Sequence, residues 1–304
     1  MMRARRPNLK NARVTGGYRR RMPAVVRWRR GLVLLPCLLL VAAFHPLDGW
    51  AADREAALER WRSHDPASPL GVDHRHWESF LLNYLRPGRD GVHRLTYGQV
   101  KARDRRKLNR YIEKMGNVDI VAYRRSEQLA YWINLYNALM VKFVLDHYPF
   151  ATIRKIGDLG DGQTANAWDS KLIVIDSIAL SLHDIEQDIL DPIWSDPRIH
   201  YAITCPAIGC PNLQPIPYDG QQLEWQLNEA AAAFVNDPRR VNIQDDKLYV
   251  SSFYRWRMEA FGGNDRGVIN HLMAYAKPEL AMALQNFDHM HGEIFDWRLN
   301  DSAD

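Results

Sequence analysis

From residue 53 onward the apolar positions recur mostly at intervals of three and four, the period of a helix that buries one face. Asp53–Arg62 and His76–Leu85 read as amphipathic helices, and Thr96 is placed to cap a third that runs to about Met115 with its charges outward. The strongest signal spans Ser126 to His147, with Ser126 as cap and Glu127 in the first turn. It stops at Tyr148-Pro149, because proline cannot continue a helix. Leu180–Ile189 predicts a short helix in which Ser181 and Asp184 form a variant capping box. Asp219 begins an Ala-rich helix to about Asn236, Ser251 or Ser252 caps one that Gly262-Gly263 ends, and Arg266–Ala276 is stopped by Pro278. The alternation of a strand is confined to Lys171–Asp176, Ile199–Thr204 and Lys247–Val250, with Glu293–Leu299 as a last candidate. Scattered strands among many helices predict an α+β fold: a helix-rich single domain with a small, mostly antiparallel sheet.

The segment ahead of residue 53 changes the picture of compartment and charge. Gly31 to Phe44 is an uninterrupted apolar run of 14 residues, preceded by many arginines and followed by the small residues Gly49, Ala51 and Ala52. That order is the layout of a cleavable export signal. The run is shorter than the roughly 20 residues a membrane span needs, so no stable span is expected after cleavage near Ala51 or Ala52. Residues 1–52 are therefore read as a signal with a basic extension, residues 1–21 as an overhang before a start at Met22, and 53–304 as one globular domain. A periplasmic or secreted location follows. Arg29-Arg30 is only a weak match to a twin-arginine signal, because Trp28 precedes it.

Residues 1–52 carry 11 basic side chains and one acid, which leaves 29 basic and 35 acidic of the chain's 40 and 36. The remainder is thus net negative by six, and the pI of 8.9 belongs to the leader. Nucleic acid is excluded as a partner, since its binding rests on neutralising phosphates.

The first candidate chemistry lies in His200-Tyr-Ala-Ile-Thr-Cys205-Pro-Ala-Ile-Gly-Cys210-Pro211, where a strand runs into a loop bearing two cysteines. In an oxidising compartment Cys205 and Cys210 can be a disulfide across this tight loop. Alternatively Cys205, at the strand end, is a nucleophilic thiol, or both cysteines are buried and inert. The spacing is not Cys-x-x-Cys, and two thiolates without a spaced histidine pair make no zinc site, so neither a metal nor another cofactor is expected. A thiol needs a base. In a regular strand His200 faces away from Cys205, so it serves as base only if the strand ends early or bulges.

The second candidate is a polar stripe on the long helix. At about 100° per residue Glu127, Asn134 and Asn137 fall on one side, while the other directions are apolar and predict burial all round. These side chains either tie loops to the helix or line a pocket in which Glu127 or Asn134 orients a histidine. Arg255 and Arg257 flank Trp256, either in cation–π packing or as an anion clamp that makes Arg255 a binding residue.

The blocks SEQLAYWINLYNAL, LSLHDIEQDIL, DPRIHYAITCPAIGCPNLQPIPY, VSSFYRWRMEAFGG and FDWRLN occur in this order. Together they resemble the domain-of-unknown-function family 547 over about residues 120–300. The resemblance places characteristic positions on Glu127, Trp132, Asn134, Asn137, Glu186, His200, Cys205, Cys210, Pro211, Trp256, Phe261 and Gly262. It departs at Gln187, where the family is expected to carry a histidine, with His183 one helical turn away. It implies that the cysteine loop and the helix stripe form one site, but no established activity. A looser similarity to papain- and transglutaminase-like folds rests on the thiol and the α+β mix. Two functions follow as expectations. One is a thiol-dependent hydrolase or acyl transferase in which Cys205 attacks and His200, Glu127 and Asn134 assist. The other is a non-catalytic module, stapled by Cys205–Cys210, that binds a small molecule or an envelope protein or peptide, with Asn137, Trp132, Glu186 and Arg255 in contact.

Overall fold

A computed structural model describes residues 46–152 and 168–302. The apolar run at 31–44 and the basic extension lie outside the described residues. The chain enters through α1 (Pro46–Trp61), which begins ahead of the expected Asp53, and α2 (Arg75–Tyr84). A short antiparallel pair, β1 (Leu85–Pro87) and β2 (His93–Leu95), leads to α3 (Ala102–Gly116). Thr96 is not the cap of α3. Its hydroxyl donates to the Tyr84 carbonyl, a 3-10 turn over Tyr97–Gln99 intervenes, and the α-helix starts only at Ala102.

The long helix α4 (Arg125–His147) is the centre of the molecule: 18 of its 23 residues are buried, so its stability comes from tertiary packing and not from an exposed polar face. Ser126 does not cap it. The Gln128 amide already bonds to the Arg124 carbonyl, and the helix begins at Arg125 without a side-chain cap. Trp132 packs fully buried in the core, edge-on to Trp61 at 5.5 Å and Tyr131 at 5.0 Å.

β3 (Ile173–Ile175) and β4 (Ile178–Leu180) form a second antiparallel pair. The Ser181–Asp184 box closes as expected: the Ser181 amide donates to the Asp184 carboxylate at 2.6 Å, and the Asp184 amide to the Ser181 hydroxyl at 3.2 Å. The turn that follows, Asp184–Leu190, is π-helical and runs into α5 (Asp191–Trp194).

Ile199–Thr204 is not a strand. After Asp196-Pro197 the chain makes the single-turn helix α6 (Ile199–Ala202). Every residue from 199 to 204 is buried, so the apolar alternation that suggested a strand marked no exposed face. Next comes α7 (Leu223–Val235), which begins later than Asp219 because the Asp219 carboxylate is taken up in a turn by the Gln221 amide.

A three-stranded mixed sheet closes the fold. β5 (Val241–Gln244) is antiparallel to β6 (Lys247–Ser251), which runs parallel to β7 (Gly292–Ile294). β7 is shorter than the expected Glu293–Leu299 strand, and the rest of that segment makes only isolated bridges. Between β6 and β7 lie α8 (Ser252–Trp256), capped by Ser251, then α9 (Asp265–Tyr275) and α10 (Pro278–Leu284). Pro278 ends α9 as expected and also opens α10, where its missing N–H costs nothing. The architecture is α+β, helices around small antiparallel and mixed sheets, and the described residues pack as one unit. Among the described residues no helix is long and apolar enough to cross a membrane.

Candidate functional site

The two predicted sites meet, but by direct bonding. The Asn137 amide group donates to the Ala202 carbonyl and its oxygen accepts from the Thr204 amide, both at 2.9 Å. Asn134 does the same to Tyr218, donating to its carbonyl at 2.8 Å and accepting from its amide at 2.9 Å. Glu127 accepts from the Val72 amide at 2.7 Å and pairs with Arg124 at 3.6 Å. The stripe therefore ties loops to the helix, the first of the two readings. Its three side chains hold backbone, and none of them touches His200.

Cys205 and Cys210 form a disulfide with their Cα atoms 5.5 Å apart. In this state Cys205 has no thiolate to offer. Phe143, Phe150, Phe295 and Trp297 gather round the pair in a small apolar cluster. Gly209 lets the Phe295 ring close on the loop, since a Cβ there would lie 2.8 Å from that ring and push it aside. The buried Arg240, which sequence reasoning missed, completes the loop by donating to the carbonyls of Ile208 at 2.5 Å and Cys210 at 3.0 Å.

His200 sits elsewhere, in a cluster of buried charge. Its Nδ1 lies 3.4 Å from Glu186 Oε1 and accepts from Arg257 Nε at 3.2 Å. Arg257 also reaches Glu186 Oε1 through Nη2 at 2.7 Å and Nε at 2.9 Å, and the Tyr136 hydroxyl donates to the other carboxylate oxygen at 3.4 Å. The opposite ring nitrogen, Nε2, is 3.6 Å from Asp191 Oδ1. The wide π turn explains why both carboxylates reach one imidazole: the Asp191 amide bonds to the Glu186 carbonyl, five residues back, which brings the two residues to the same side. Phe261 meets the His200 ring edge-on at 5.8 Å.

A cavity of about 350 Å³ opens in front of this cluster, lined by Asp191, Ser195, Asp196, Pro197, His200, Glu259 and Ala260. Ser195 stands on it with a left-handed backbone, φ 50°, an uncommon conformation for a residue other than glycine. Burial alone would raise the Glu186 carboxyl, but the Arg257 and His200 charges bring it down to about 2. Asp191 goes the other way: burial raises it, and the neighbouring Glu186 charge adds to that. The two carboxyls beside this imidazole are thus displaced in opposite directions, Asp191 against the lowering effect of His200.

Of the remaining candidates, Arg255 pairs with Asp265 at 2.8 Å and Glu293 at 3.3 Å in a part-buried ion pair. Its neighbour Arg257 takes the other direction, to Glu186 and His200. It lies just past α8 and also stacks on the Phe253 ring at 5.1 Å, the cation–π reading. Gln187 and His183 are both exposed, and His183 faces Asp169 at 3.8 Å. Among the described residues no group of three or more His, Cys, Asp or Glu side chains is arranged to hold a metal ion.

No curated protein and no solved structure matches the chain. Residues 120–235, which include α4, the π turn, His200 and the disulfide loop but neither Arg257 nor α2, match the family model described as Protein of unknown function, DUF547.

Proposed function

We propose that the protein is an exported, disulfide-stapled binding module whose ligand site is the cavity in front of His200, with Cys205 as staple and not as nucleophile. The observation that carries this reading is the commitment of both reactive groups. Cys205 is bonded to Cys210, while the His200 ring is held between Glu186 and Arg257 and shows its Nε2 edge to the cavity and Asp191. The cavity lies at the lower end of the volumes that hold small ligands. Its lining carboxylates Asp191, Asp196 and Glu259 favour a ligand that donates hydrogen bonds or carries positive charge. Export agrees with the disulfide, which persists in oxidising compartments.

Alkylation without reduction, followed by mass analysis of protein recovered from its native compartment, tests the proposal. The expected result is two unlabelled cysteines joined to each other and a mature chain beginning near Ala51 or Ala52. One fast-reacting thiol near neutral pH overturns the staple and restores the thiol-dependent hydrolase.

A second reading rests on the same cluster. An imidazole beside a buried carboxylate and opening on a cavity is the arrangement of a general base, which here requires the tautomer whose Nδ1–H turns to Glu186 instead of accepting from Arg257, so that Nε2 is free to take a proton from a bound water or hydroxyl. A pH–rate profile that loses its limb in His200→Gln, for any hydrolysis found, supports this reading over simple binding.

A further inference from the structure

The cavity in front of His200 carries charge that its own wall does not balance. No arginine or lysine lines it. Of its three carboxylates, Asp196 is matched by Arg198 at 2.6 Å. Asp191 and Glu259 pair with no arginine or lysine among the described residues, and Asp191 meets only the His200 ring, at 3.6 Å. Arg257, behind that ring, is taken up by Glu186 at 2.7 Å. Two uncompensated carboxylates draw a positive charge into the cavity.

Acidic groups alone select nothing beyond charge, and the second observation is His200 itself. The residue is 4% exposed, and the ring is held edge-on to Phe261 at 5.8 Å. Its Nδ1 accepts from Arg257 Nε at 3.2 Å, so Nε2 carries the ring's proton. That N–H has no hydrogen-bond partner among the described residues, since Asp191 Oδ1 at 3.6 Å is beyond reach. Nε2 is nevertheless not one of the fully enclosed, unpartnered side-chain atoms, so it is open to solvent, on the cavity that His200 lines. An oriented donor thus faces the cavity and lacks an acceptor.

Donor and acceptor stand side by side here, so the ligand needs an acceptor and a cation on neighbouring atoms. A bare ammonium suits the carboxylates but sets a cation against the Nε2 proton. An anion suits Nε2 and is repelled by Asp191 and Glu259. A pair of neutral hydroxyls makes both hydrogen bonds and leaves both charges unmatched. An α-ammonium group beside a neutral carbonyl oxygen, which is the first residue of a peptide, answers all of these demands. Pro197 and Ala260 supply the apolar wall against which a small first side chain packs, and about 350 Å³ suits the end of a peptide.

We propose that this cavity captures the amino terminus of a peptide, with Asp191 and Glu259 taking the ammonium group and His200 Nε2–H the first carbonyl oxygen. The inference rests on reading the cavity as the ligand site of a binding module. The test is calorimetric titration of the whole purified protein with L-alanyl-L-alanine amide. Three controls accompany it: the N-acetylated amide, which lacks the cation; ethylamine, which lacks the acceptor; and N-acetyl-L-alanine, an anion. The dipeptide amide is expected to bind about tenfold or more tightly than each control, the worth of one charge-assisted hydrogen bond. Asp191→Asn is expected to weaken it by about tenfold, and Glu259→Gln, at an exposed position, gives a second arm that leaves the fold alone. Nitrogen-15 NMR of the His200 ring is expected to show the proton on Nε2 and a shift of that signal when the amide is added. The proposal is overturned if the amide does not bind, if a control binds as tightly, if both substitutions leave its affinity unchanged, or if the proton sits on Nδ1. Ethylamine binding that Asp191→Asn abolishes would overturn the peptide terminus and keep the cavity as a cation site, whereas no binding by any of the four compounds removes the ligand site as well.

Discussion

Glu186→Gln is the most direct perturbation of the His200 cluster. The substitution keeps the shape and removes one charge, which leaves Arg257 without its buried counter-ion. Glu186 is 9% exposed at its side chain and Arg257 23%. Removing one partner of a fully buried pair costs about 3–5 kcal/mol, and the partial exposure of Arg257 places this case at the lower end, about 3 kcal/mol. Linkage gives a similar figure. The carboxyl stands at about 2 in the folded protein against 4.5 ordinarily. At about 1.4 kcal/mol per unit, that depression amounts to roughly 3 kcal/mol. A carboxyl depressed by folding stabilises above its unfolded pKa and loses that contribution as pH falls through its folded pKa. The deficit of Glu186→Gln is therefore expected in full near neutral pH and to shrink as pH falls from about 4.5 toward 2. Urea unfolding of both proteins across this range measures it, with Arg257→Met and the double variant completing a cycle for the pair. A neutral-pH difference below about 0.5 kcal/mol, or one that does not diminish in acid, refutes the assignment of Glu186 as the buried counter-ion.

Three further outcomes follow from the geometry. Replacing both Cys205 and Cys210 by alanine is expected to cost about 2 kcal/mol in urea unfolding, the loop-closure value for so short a ring, without abolishing the fold. Asn134→Ala strands the buried amide and carbonyl of Tyr218 and is expected to cost about 2–4 kcal/mol, read as a fall in thermal midpoint; a change within about 0.5 kcal/mol shows that the clamp is idle. His74 and His271 both stand near 4, each lowered first by burial, so the unfolded chain binds their protons more readily. Their stabilisation is complete above about 6.5 and is lost as pH falls toward 4, about 1–2 kcal/mol each after allowance for partial exposure. Imidazole C–H resonances that titrate near 6.5 instead contradict this.

The legible part of the sequence was the part with contrast. α9 stands close to its expected limits because apolar positions recur against polar neighbours, and α4, buried almost all round, because its length and its stop at Tyr148-Pro149 mark it. Local side-chain chemistry was readable too, as in the Ser181–Asp184 box and the Ser251 cap. Contrast fails where everything is buried. At Ile199–Thr204 no face is exposed, and the residues that decide the turn are Asp196 and Pro197 upstream. The π turn leaves no mark in spacing, so the convergence of Glu186 and Asp191 on His200, which depends on a bond five residues back, was not foreseeable. Arg255 and Arg257 are alike in sequence. Only the end of α8 at Trp256 sends one to the surface and the other to Glu186.

The polar stripe of α4 shows why a buried helix retains such residues. Leucine at Asn134 or Asn137 would pack as well against apolar neighbours, yet each asparagine pairs both the amide and the carbonyl side of a loop that has no strand to lie against. Such a loop entering the core must find partners for its backbone or stay outside. Asn137 brings in the segment between α6 and Cys205, Asn134 brings in Tyr218, and Glu127 brings in Val72. The stripe thus fixes loops, and through the segment that Asn137 holds it sets His200 on α6 beside the π turn that carries Glu186.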